Sequence, residues 1–184
     1  DFVIGEIITQ HNFEKELQLF QFLCLVSPET HAIHPNRYRQ TLVQIGGHIC
    51  PDPIIVPQLV SALFYQMRSI PNPIIRAIYF HHELIRIHPY ADGNGRVTRI
   101  AKNWMLMYDL YPPIFINDAP QKKEYIATLS KSFRGLTISP KIWNEHTETF
   151  FEQELDRLLV NATLLYETVN KIGQEREKAT KKQS

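Results

Sequence analysis

The sequence predicts an all-α (mainly α) protein carrying one small β-hairpin, and three observations lead there. Apolar residues recur at helical spacing through most of the chain. Serine, proline and glycine fall between those periodic stretches, where helices stop and start. A single segment, TLVQIGGHI from Thr41 to Ile49, instead has two short β-prone arms joined by Gly46-Gly47, a two-glycine hairpin signal.

Taken in order, EKELQLFQFLCLV predicts a helix over Glu14 to Val26 that stops before Ser27-Pro28. The hairpin follows, and because a lone hairpin is marginal in water it must lean on the helices. VPQLVSALFYQM has Pro57 near its start, a favoured first-turn position. PIIRAIYFHHELIRI, Pro73 to Ile87, is apolar on most faces, which marks a central buried helix. After the bend Gly93–Gly95 a helix is predicted from Arg96 to about Tyr108. Further helices are predicted at QKKEYIATLSKSF and between Lys141 and Lys171. No internal repeat or linker divides the chain, so residues 1–184 read as one domain.

A chain of 184 residues can bury one good core. Its 43% apolar and 21% charged residues are ordinary for a soluble protein. The net charge of +1 argues against nucleic acid as a partner. The basic stretch KIGQEREKATKKQS reads as a solvated helix end. Cys24 and Cys50 make no disulfide framework and no CxxC zinc pattern, as expected of reduced thiols in the cytoplasm. No apolar run reaches the roughly 20 residues of a membrane span. With no basic, apolar leader at Asp1, a cytoplasmic location without signal peptide or membrane contact is expected.

Chemistry concentrates in IHPYADGNGRVTR. Gly93 and Gly95 allow positive φ and close approach of a ligand. The N-terminus of the following helix offers unpaired N–H groups and a positive dipole end, a natural anion site. Asn94 can turn its amide toward the same anion. Arg96 and Arg99, three apart, share a helix face. Two guanidinium forks and a backbone nest suit a polyphosphate better than a single carboxylate. Asp92 would repel phosphate unless a cation lies between, and Mg²⁺ commonly takes one carboxylate with phosphate oxygens and water. His88, ended by Pro89, could then take the proton from an incoming hydroxyl. Together these parts describe transfer from a nucleotide to an alcohol.

HPYADGNGRVTR resembles the signature of the Fic (Fido) family, and RYRQTLVQIGG and AIYFHHELIRIHPY resemble its flanking segments. The likeness covers roughly Glu14 to Glu154. It implies a Fic-type helical bundle whose hairpin is a flap, and a core of about 14–154 followed by a C-terminal helix, about 155–175. It also implies protein AMPylation: ATP as substrate, Mg²⁺, and a Ser, Thr or Tyr hydroxyl on a target protein, self-AMPylation included. Under that resemblance His88 is the base and Asp92 the metal ligand. Gly93, Asn94 and Gly95 cradle the α-phosphate, Arg96 the β-phosphate and Arg99 the γ-phosphate. Tyr90 departs from the family's usual Phe; its ring should anchor the loop, and its hydroxyl needs a partner if buried. Gly95 stands where a kinase-like branch has Lys, which favours AMP transfer over phosphate transfer. A phosphotransferase and a catalytically inert nucleotide-binding module are the competing readings.

Neighbouring features extend the resemblance. The segment Thr41, Leu42, Val43, Gln44, Ile45, Gly46, Gly47 would dock the target, since a free strand edge can add an extended peptide. Tyr125 matches a Tyr near the adenine, although core packing explains it equally well. His81 and His82 point about 100° apart on a helix, and His82-Glu83 does not continue as HExxH, so a zinc hydrolase is disfavoured. His81 should instead pack or hydrogen-bond beneath the loop. Thr163 and Glu167, four apart, resemble the family's S/T-x-x-x-E inhibitory motif, in which Glu167 would pair with Arg99 and hold the enzyme off. An inhibitor upstream of Asp1 or on a separate antitoxin chain is the alternative. The sequence leaves open the target and whether the chain forms a homo-oligomer.

Overall fold

A computed structural model describes residues 1–116, 118–139 and 143–181, with side chains to residue 176. The helices are α1 (Phe2–Ile8), α2 (Leu17–Val26), α3 (Pro28–Ile33), α4 (Val56–Arg68), α5 (Pro73–Ile87), α6 (Asn94–Tyr108), α7 (Ala119–Ile138) and α8 (Glu145–Lys181). The hairpin strands β1 (Gln44–Ile45) and β2 (His48–Ile49) lie between α3 and α4, with a 3-10 turn at Pro53–Ile55 after them.

α5 is the central helix that its all-round apolar sequence predicts. Asn72 caps it by accepting from the Ile75 N–H (3.0 Å), and Pro73 occupies the first turn, where a missing N–H costs nothing. It packs against α4, α6 and α8 and divides the core in two. One cluster sets Ala77, Phe80, Leu84 and Ile87 against Phe13, Phe22, Leu63 and Trp104. The other sets Ile78 and Ile85 against Tyr125, Leu129, Phe133 and Phe150. Burying this apolar area is the main force closing the bundle.

Several boundaries differ from expectation for identifiable reasons. α2 starts at Leu17 rather than Glu14, because the Gln18 side-chain carbonyl accepts from the Glu14 and Lys15 N–H groups and holds them in a turn. α1, not anticipated, extends the core N-terminally through edge-on contacts of Phe2 with Phe22 and Trp104. The paired part of the hairpin is only Gln44↔Ile49 and Ile45↔His48, shorter than Thr41–Ile49. Its turn has φ +51° at Gly46 and +82° at Gly47, as a two-residue hairpin turn demands. Gly46 also lies so near α7 that a Cβ would stand 2.9 Å from Ser130 Oγ.

α8 is one unbroken helix of 37 residues; the predicted start at Lys141 lies outside the described residues. Its first half packs on α7, burying Phe150, Phe151, Glu154 and Leu158. From Leu159 to Arg176 nothing on it is buried. Glu154, itself buried, takes the ammonium of buried Lys102 on α6 (2.5 Å), an ion pair that ties the two helices across the core. Cys24 is exposed and Cys50 buried, and both are free thiols. Among the described residues no helix is long and apolar enough to cross a membrane.

Candidate active site

α5 ends at His88, whose N–H still bonds to the Leu84 carbonyl (3.0 Å) while its φ turns to +53°. Left-handed backbone is costly for a residue with a Cβ and persists where the surroundings over-determine it. Pro89 prevents any helical continuation. Tyr90 then plants its ring in the core, 5.9 Å from Phe20 and 5.8 Å from Tyr38. Gly93, at φ +85°, is the N-cap of α6; a Cβ there would stand 3.0 Å from Leu23 Cδ1 and Ser27 Cβ. Glycine is therefore required at this position by both backbone and space.

Asn94 corrects an expectation. Its amide does not face the loop's open side. Oδ1 accepts from the Tyr90 N–H (2.9 Å) and Nδ2 donates to the Tyr90 carbonyl (2.8 Å), so the buried side chain braces the loop from within. That bracing also explains why α6 begins at Asn94, two residues before the predicted start. The N–H groups of its first turn have no partner within the helix, which leaves the anion site to the backbone.

The two arginines differ. Arg96 is tied back: it donates to the Val26 carbonyl at the end of α2, to Ser27 Oγ (3.4 Å) and to Asp92 (2.9 Å). Arg99 makes no hydrogen bond or ion pair with any described residue and lines a cleft of about 1000 Å³. Gly95 makes room for it, since a Cβ at 95 would meet Arg99 Nη1 at 3.2 Å. Gly95, Arg96 and Arg99 form the charged end of this cleft; Ile45 and Gly46 of the hairpin, Ile100, Ile114 and Leu129 belong to its apolar remainder. His88 and Asp92 sit outside that lining, His88 half-buried and Asp92 with 73% of its side chain in solvent. A single exposed carboxylate beside a phosphate-type nest is a donor set that fits Mg²⁺ shared with phosphate and water.

Burial lowers the pKa of His88 below its ordinary value; the Ile85 backbone and Asp92 oppose this, while Arg39 and His48 add to it. The ring is therefore neutral at pH 7, as a base must be. Its Nδ1 is buried and has no hydrogen-bond partner among the described residues. Tyr90 pays for its place differently: its hydroxyl is buried with no partner among the described residues, and burial raises its pKa.

His81 and His82 are core residues with separate partners. His81 Nε2 meets Tyr125 Oη (2.8 Å), and His82 meets Ser132 Oγ (2.9 Å) and Glu83 (2.9 Å). Tyr125 lines the cleft while its hydroxyl is engaged with His81. The hairpin is pinned by Ser130 Oγ donating to the Gly46 carbonyl, with buried His48 near the Arg86 carbonyl (3.3 Å). Thr41 and Leu42 precede the paired strands, and Leu42 is exposed.

Thr163 and Glu167 are not brought to the site in this structure. Both are exposed on the outer half of α8, and Thr163 bonds only to the Leu159 carbonyl (3.0 Å). At 1.5 Å per residue, Glu167 lies about 20 Å along the helix from Glu154, the residue that marks where α8 touches α6. An unbroken helix cannot return Glu167 to Arg99.

Sequence reading missed Arg39. This arginine is 3% exposed and donates to carbonyls on both sides of the hairpin and at the end of α5. Its partners are backbone groups up to 49 residues away, so no local pattern announces it.

A helical bundle that sets a glycine-rich helix N-terminus and two arginines at the end of a cleft, with hairpin residues in its wall, defines an anion-binding class of site. The Fic/DOC family profile matches residues 10–106, and the chain belongs to that family. It is 28% identical over 128 residues to "Protein adenylyltransferase Fic" of Culex quinquefasciatus, covering 67% of this chain and 26% of that relative. It is 34% identical over 97 residues to the protein of the same name in Drosophila persimilis, covering 50% and 19%. The chain thus spans about a quarter or less of these relatives' length. The crystal structure of a Fic domain containing signaling protein from Bacteroides thetaiotaomicron superposes with a TM-score of 0.60 at 25% identity, over 70% of this chain and 53% of that one.

Proposed function

We propose that the chain is a protein adenylyltransferase domain that moves AMP from ATP to a Ser, Thr or Tyr hydroxyl of a target protein. The observation that carries this reading is Arg99: a cation without a partner among the described residues, facing a cleft whose charged end is a helix N-terminus. The relatives' shared name, adenylyltransferase, supports the choice of reaction.

In this reading the backbone N–H groups of Asn94 and Gly95 hold the α-phosphate, and Arg96 and Arg99 hold the outer phosphates. Neutral His88 removes the proton from the target hydroxyl. The freed oxygen bonds to the α-phosphorus, the bond from that phosphorus to the bridging oxygen breaks, and pyrophosphate leaves. Asp92 would hold Mg²⁺, which supplies charge neutralisation to the phosphates when bound. The hairpin offers a free strand edge along which an extended target segment can align its hydroxyl.

The test is incubation of the purified chain with Mg²⁺ and ATP labelled at the α- or the γ-phosphate. Protein should take up the α-label only. Uptake of the γ-label alone indicates a phosphotransferase, and ATP binding with no transfer to any protein indicates an inert module.

A further inference from the structure

Arg39 presents a buried cation with no carboxylate partner among the described residues. Its donors go to backbone carbonyls: Nε to His88 (2.7 Å), Nη1 to Thr41 (2.8 Å), and Nη2 to Pro51 (2.6 Å) and Ile87 (3.3 Å). Its own backbone N–H bonds to the Pro89 carbonyl (2.8 Å). Burying a guanidinium is costly unless its donors are satisfied, and here four backbone carbonyls take four of its five N–H groups. Those of Ile87 and His88 belong to the end of α5, where carbonyls lack helical partners and the dipole is negative.

The arrangement reaches three separated segments. Thr41 and Pro51 are the two stems of the hairpin, and residues 87–89 carry the candidate base in its left-handed turn. A residue needed only to cap α5 would have no use for the stems. One needed only to hold the hairpin would have no use for His88.

We propose that Arg39 is a positioning residue that locks His88 and both hairpin stems into one rigid unit, so that a target strand held by the hairpin arrives in register with the imidazole. The proposal rests on the adenylyl-transfer reading above. It makes Arg39 indispensable to transfer but not to nucleotide binding, because its contacts avoid Gly93, Gly95, Arg96 and Arg99. Lysine cannot replace it. A point charge with three donors lacks the planar fork that reaches carbonyls on opposite sides.

The experiment compares wild type with Arg39→Lys, measuring α-label transfer and, separately, ATP affinity by calorimetry. The expected result is an unchanged ATP affinity with kcat for transfer reduced about 100-fold, the loss typical of a reacting group displaced by about 1 Å. Transfer at the wild-type rate in Arg39→Lys overturns the proposal alone, as does a loss of transfer that only parallels a loss of ATP binding. Absence of label from wild type itself overturns the adenylyl-transfer reading, and the proposal with it.

Should Arg39→Lys not fold, hydrogen exchange in the wild-type protein decides. The amide of Arg39, bonded to Pro89, and that of Cys50, bonded to Val43, belong to one unit in this proposal and must open together. A Cys50 amide that opens independently of Arg39 sinks it.

Discussion

Two segments of this chain bear short patterns of the kind that signal chemistry, and they end up in opposite circumstances. His88 to Arg99 closes around itself: Asn94 grips Tyr90, Gly93 fits against α2, and Arg99 turns into the cleft. Thr163 and Glu167 stand in solvent on a straight helix. The loop's pattern contains its own geometry, since its members are at most eleven positions apart and Asn94–Tyr90 and Arg96–Asp92 hydrogen-bond within it. The α8 pattern has meaning only if the helix approaches another part of the molecule, and nothing in five residues decides that. A motif that folds locally can be trusted further than one that depends on where its helix travels.

The contrast can be broken most forcefully at its loop end. His88→Ala should reduce α-label transfer by about 100- to 10,000-fold, the usual contribution of a general base, while leaving ATP bound. Retained transfer would shift the base to another group. The next largest effect belongs to the inner half of α8. Glu154→Leu leaves Lys102 buried without its counter-ion and should cost about 3–5 kcal/mol of stability in a denaturant titration. If the midpoint does not move, the pair contributes nothing and α8 is held by packing alone.

Arg99→Ala should weaken ATP binding by about 2 kcal/mol, roughly thirtyfold, the worth of a hydrogen bond to a charged group. A titration showing wild-type affinity would take the nucleotide out of the Arg99 end of the cleft. The pH profile sharpens the same region. Burial depresses the His88 pKa, so the neutral, active imidazole persists as pH falls through 6.5, and the acid limb of kcat/KM should have its midpoint below 6.5. A midpoint above that value contradicts the electrostatics described here. The smallest effect is expected at the other end of the comparison: Glu167→Ala should leave labelling of the isolated chain unchanged, and increased labelling would restore the inhibitory contact.

Legibility followed the same division. α5 was readable to the residue, because Asn72 and Pro73 mark its start and His88-Pro89 its end. The hairpin was readable from Gly46-Gly47, though its paired length was not: the ladder ends at Gln44↔Ile49, and the stem beyond it is held by Arg39 at the Thr41 carbonyl. α1 and α3 escaped notice because six or seven residues carry too little periodicity to register. Asn94 was placed correctly in the loop and given the wrong partner. From sequence, an amide next to a nest looks aimed at an anion, and only the fold reveals that Tyr90 needs both of its atoms. Arg39 and the Lys102–Glu154 pair lay beyond sequence reasoning altogether, being contacts between charges and groups dozens of positions away.

The unequal exposure of the two thiols gives the experimenter an address. Cys50 is sealed, whereas Cys24 is open on α2, one position along from the leucine that packs against Gly93. A maleimide dye should therefore attach at a single place without any engineering, beside the wall of the loop, where a change in its fluorescence on adding ATP would test the proposed nucleotide site in real time.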